Sequence, residues 1–109
     1  MSKIESQPRP DWETLPREGC FGIDYRVFLA SDNLVIANLR FAEGATNDEH
    51  SALIDIDVIC LSGSGFTSIG DETFKIEAGQ TIRWPKNIDH RLWTVQTKME
   101  TLMVERHDS

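Results

Sequence analysis

From Gly22 onward the chain is a succession of short runs rich in β-branched and aromatic residues, parted by Gly, Asp and Asn at intervals of roughly ten residues. Runs of that length bury one face by pairing with neighbours, and no stretch repeats its apolar residues with helical period. The spacing predicts strands over 23–30, 34–42, 52–61, 65–70, 73–77, 80–85, 90–95 and 99–106. SerAspAsn (31–33), SerGlySer (62–64), GlyAspGlu (70–72) and LysAsnIleAsp (86–89) supply residues that tolerate turn dihedrals. Eight short strands without a helix leave an all-β barrel or sandwich as the fold class.

Residues 1–20 differ in character. Pro8, Pro10 and Pro16 among polar neighbours read as an extended N-terminal arm, leaving 21–109 as the barrel domain. A chain of 109 residues has no room for a second core. Eleven Lys and Arg stand against 18 Asp and Glu, a formal charge of -7 that disfavours nucleic acid and anionic membrane surfaces as partners. No apolar run approaches the roughly 20 residues of a membrane span, and the polar start lacks the regions of a signal peptide, so a cytoplasmic protein is expected. There the two cysteines, Cys20 and Cys60, are expected to remain thiols and to pack.

Two stretches carry more than pattern. GATNDEHSALIDIDVICLSG places Gly44, His50 and Gly63, and GQTIRWPKNIDHRLWT places Gly79, Pro85 and His90, at separations that resemble the two motifs of the cupin superfamily, G-x5-H-x-H-x3-E-x6-G and G-x5-P-x-G-x2-H-x3-N. Together they span residues 44–94. The resemblance implies a small single-domain cupin of type 2, an antiparallel β-barrel or jelly roll built as a double-stranded β-helix. It also implies that His50 and His90 reach one pocket. Asn87 replaces the turn glycine, a mild change because Asn tolerates positive φ. Ala52, Ile56 and Thr94 replace a histidine, a glutamate and an asparagine of the motifs. Of the four positions that ligate metal in metal-binding cupins, His50 and His90 are kept.

Alternation along a strand puts Ala52, Ile54, Ile56, Val58 and Cys60 on the face of His50, and Leu92 and Thr94 on the face of His90. Ile54, Ile56, Val58, Cys60, Leu92 and Thr94 are therefore expected to line a ligand pocket, with Asp55 and Asp57 pointing away. Two imidazoles fall short of the three protein ligands of a catalytic zinc and of the two histidines and carboxylate of a non-haem iron site. Three roles stay open for the pair: holding a divalent ion (Zn, Ni, Cu, Fe or Mn) with water or substrate completing the shell, serving a small molecule as hydrogen-bonding or proton-carrying imidazoles without metal, or lining the barrel. At the level of function these become a metal-dependent enzyme of isomerase, lyase or dioxygenase type, and a non-catalytic module that binds a small molecule.

The remaining candidates read as structural. Cys60 sits mid-strand as a small apolar residue. Trp84 and Trp93 flank the second motif, where stacking on a ligand, core filling and a dimer contact are all open to them. Trp12 anchors the arm. Arg26, Arg40, Arg83 and Arg91 lie in strands, where ion pairs with the abundant acids are expected. Outward apolar residues such as Leu53, Ile59 and Leu61 point to a homodimer.

Overall fold

The computed structural model describes residues 8–107. Its eight strands are β1 (Glu13–Thr14), β2 (Cys20–Ala30), β3 (Leu34–His50), β4 (Ile56–Ile69), β5 (Glu72–Glu77), β6 (Thr81–Trp84), β7 (His90–Trp93) and β8 (Met99–Arg106). All pairings are antiparallel, and no helix occurs among the described residues.

Two long strands, each bent at a glycine, turn this set into a closed barrel. The first part of β3 pairs with β8, from Leu34↔Arg106 to Phe41↔Met99, and its last part pairs with β7, from Thr46↔Trp93 to His50↔His90. Gly44, at φ 67°, lies between the two. β4 repeats the manoeuvre. Its first part pairs with β6 and β8, its second with β5 and β7, and Gly63 at φ 73° marks the corner. Only glycine fits there, because a Cβ on Gly63 would lie 1.9 Å from the Lys98 carbonyl oxygen.

These corners change the strand boundaries expected from the sequence. The runs 52–61 and 65–70 are one strand, and SerGlySer is a bend within it. The run 34–42 likewise continues to His50. Turn residues and corner residues share a composition, and whether the ladder continues past them depends on which partner is waiting. Residues 51–55 form a connection instead of the start of a strand. The Ala52 carbonyl accepts from the Asn87 amide at 2.7 Å and the Asp55 carboxylate from the Lys86 amide at 2.9 Å, so their polar groups serve the turn before β7. Asn87 takes φ 64° in that turn.

The core between the two walls is formed by Ile23, Phe41, Val58, Ile76, Trp84 and Leu92 with their neighbours. Asp57 points outward and lies between Arg83, at 2.9 Å, and Arg106. Arg40 pairs with Asp24 at 2.9 Å, and Arg26 lies over the Trp12 ring at 3.9 Å. The arm is thus held against the barrel at Trp12, at β1, which pairs with Tyr25 and Asp24, and at Leu15, whose amide donates to the Ile23 carbonyl.

Candidate functional site

His50 ends β3 and His90 opens β7, and the two are register partners across an irregularity that begins after Asn47. That irregularity turns His50 toward the barrel interior, where the Nε2 atoms of the two rings stand 3.1 Å apart. The Nδ1 of His50 lies 2.8 Å from the Asp48 carbonyl, an acceptor only, so it carries the proton. Nε2 of His50 is then a lone pair, and the Nε2–H of His90 donates to it. Nδ1 of His90 is buried without a hydrogen-bond partner of normal geometry.

Trp84, at the end of β6, sets the position of the pair. Its indole stacks on the His90 ring with centroids 3.9 Å apart and planes 11° from parallel, and it meets His50 edge-on at 6.4 Å. The indole is itself fixed by donation from Nε1 to the Thr67 hydroxyl at 2.9 Å, and Thr67 passes a hydrogen bond on to the Arg91 carbonyl at 2.8 Å. His90 is only 1% exposed and Trp84 2%.

Burial disfavours the charged form of both imidazoles. The His90 pKa falls to about 4, first through desolvation and then through the neighbouring His50, with a backbone hydrogen bond to Ile88 opposing. The His50 pKa is also lowered, again chiefly by desolvation, with the Asp48 carbonyl opposing. Arg17 pushes both in the same direction. At neutral pH the site holds two uncharged imidazoles.

Beside them opens a cavity of about 230 Å³. Leu39, Ile56 and Met103 form much of its apolar wall, and Arg17, Asn47 and Glu105 add polar groups. The six residues expected to line a pocket take different places. Ile56 lines the cavity. Val58, Cys60 and Leu92 are buried in the core. Ile54 lies in the 51–55 connection, half-buried against the core. Thr94 donates to the Ala42 carbonyl at 2.5 Å and accepts from the Ala45 amide at 3.0 Å, so its hydroxyl holds the bend at Gly44. Tyr25 and Glu105 share strand parity with the buried Ile23 and Met103, whereas Asn47 lies beyond the strand expected over 34–42, and Arg17 and Leu15 belong to the arm and carry no such signal.

A larger depression of about 480 Å³ lies elsewhere, by Asp24, Arg40 and Lys98. It is lined by the Arg40–Asp24 ion pair and by neither imidazole, so its size does not make it the chemical centre. Neither cysteine is primed for nucleophilic chemistry. Burial raises both thiol pKa values, and the Cys20 thiol donates to the Asn47 side-chain carbonyl at 3.1 Å.

No family model and no curated protein matches the sequence. Solved structures do. A conserved protein of unknown function from Streptococcus pyogenes is 29% identical, with TM-score 0.73, over 80% of this chain and 75% of that one. A cupin 2 conserved barrel domain protein from Leptotrichia buccalis is 27% identical, with TM-score 0.75, over 83% of this chain and 42% of that one. The polyketide cyclase RemF from Streptomyces resistomycificus superposes with TM-score 0.84 at 16% identity, over 99% of this chain and 80% of that one. The barrel has the cupin fold. Within that class the chain is a small, cupin-2-like barrel, as its two motifs imply. No helix among the described residues is long and apolar enough to cross a membrane.

Proposed function

We propose that this cupin binds a small molecule in the cavity beside His50 and His90, and that the neutral imidazole pair forms the polar end of the binding site. The observation that carries this reading is the contact between the two Nε2 atoms at 3.1 Å on the edge of an apolar cavity of about 230 Å³. A ligand there replaces water against Leu39, Ile56 and Met103, and a polar group on it competes with His90 for Nε2 of His50, whose ring is held by the Asp48 carbonyl. That RemF, of the same fold, is a polyketide cyclase supports a small organic molecule as occupant.

A resident metal fits this donor set poorly. Catalytic zinc takes three protein ligands, and the described residues contain no cluster of three His, Cys, Asp or Glu side chains. No catalytic step is therefore drawn through a metal.

One observation favours the metal-dependent enzyme as a second reading: 3.1 Å is also a separation that two nitrogens of one coordination shell adopt. The two readings part in a fragment screen followed by 1H–15N NMR with EDTA present. Ligands that shift the amides of Asn47, His50, Ile56 and Trp84 under those conditions support a metal-free site. Ligands that bind only after zinc is added, and are lost in His50→Ala, would replace it with the metal reading.

A further inference from the structure

We infer that the cavity selects small monoanionic carboxylates with an apolar body, and that Arg17, supplied by the N-terminal arm, is the residue that selects them. The inference rests on the binding reading above and narrows it to a ligand class. Arg17 lines the cavity with His50 and has no ion-pair partner among the described residues, whereas Arg40, Arg83, Arg91 and Arg106 each lie within 4.0 Å of a carboxylate. The backbone that carries Arg17 is tied on both sides, by the Leu15 amide to the Ile23 carbonyl at 3.0 Å and by the Cys20 amide to the Arg17 carbonyl at 3.1 Å.

A planar cation presented from a fixed turn to an apolar cavity is suited to a carboxylate, which it can meet through two parallel hydrogen bonds. The walls at Leu15, Val27, Leu39 and Ile56 then accept an apolar ligand body. Glu105 restricts the choice further. It lines the same cavity and also lacks an ion-pair partner among the described residues, so a second negative charge on the ligand meets repulsion there.

The test uses the full chain and three aromatic probes of related shape: benzoate, its neutral counterpart benzamide, and the dianion terephthalate, each titrated by 1H–15N NMR. Benzoate is expected to bind about tenfold more tightly than benzamide. Arg17→Gln should remove that preference, and Arg17→Lys should restore part of it. Terephthalate should bind no better than benzoate until Glu105→Gln removes the repulsion. Both sites are at least partly solvent-accessible, so the variants are expected to fold, and their spectra will show it. Equal binding of benzoate and benzamide, or benzoate binding unchanged in Arg17→Gln, overturns the inference and leaves the cavity reading in place. Absence of cavity shifts with all three probes also overturns it, while the cavity reading itself stands or falls on the fragment screen.

Discussion

His90 stacks face to face on Trp84 with centroids 3.9 Å apart, while its Nε2 lies 3.1 Å from Nε2 of His50. The indole gives the imidazole an apolar partner on one face, and the second imidazole gives it a polar partner along one edge. Neither partner stabilises a positive charge as well as the water it displaces. The site is therefore built for neutral imidazoles, and its pH behaviour follows from that.

Stability should fall as pH is lowered from 6.5 towards 4. In the unfolded chain His90 takes up its proton near 6.5, but in the folded protein only near 4. Between those values the unfolded state holds more protons, so acid favours unfolding. The contribution is fully present above 6.5, is lost through the window and is gone below about 4. The His50 shift has the same sign and adds to it. Urea unfolding at pH 7 and pH 4.5 should differ by roughly 2–3 kcal/mol from His90, and His90→Phe should flatten that dependence. An equally steep dependence in the variant would assign it to other groups.

Rebuilding the missing ligands should create a metal site. Ile56 already lines the cavity with His50, so Ile56→Glu brings a carboxylate to the imidazole pair, and Ala52→His adds a third imidazole from the half-buried 51–55 connection. The double variant is expected to bind zinc on the order of a hundredfold more tightly than the natural chain, at some cost in apo stability from the buried carboxylate. Calorimetry showing no gain would mean that position 52 does not face the histidines.

Asp57→Asn should destabilise the barrel by about 1 kcal/mol, because one carboxylate serves both Arg83 and Arg106 on three strands, β4, β6 and β8. The Asp57 side chain is only 13% exposed, but both arginines are about half exposed, which keeps the figure small. Hydrogen bonding from Arg83 chiefly holds the Asp57 pKa below its usual 3.8, so this contribution is present above that value and fades as the carboxylate protonates in stronger acid. Matching thermal denaturation midpoints for variant and parent at pH 7 would show that the three-way pairing contributes nothing.

A homodimer is expected in solution. Phe21 is 70% and Leu53 86% exposed, and the free edge of β2 beyond β1 presents Val27, Phe28 and Leu29. A lone chain would leave these side chains and the backbone groups of that edge in water. Sedimentation equilibrium at micromolar concentration should give the mass of two chains, and the mass of one would refute the expectation.

The sequence by itself determined the all-β class, the cupin resemblance, and the two histidines that meet at 3.1 Å, because motif spacing survives wherever the strands happen to end. It also placed Asp57 on the outer face, since alternation is a local property of the extended chain. Only the tertiary structure decided that Gly44 and Gly63 bend two strands that continue through them, because a corner and a turn differ in their partners and not in their residues. It likewise decided that Val58, Cys60 and Leu92 fill the core while Ile56 borders the cavity, since one inward face runs past both filled and open space. Arg17 entered the site for the same reason. No periodicity ties an arm to a pocket; that proximity comes from backbone pairing of the arm with β2, which alternation within a strand does not encode.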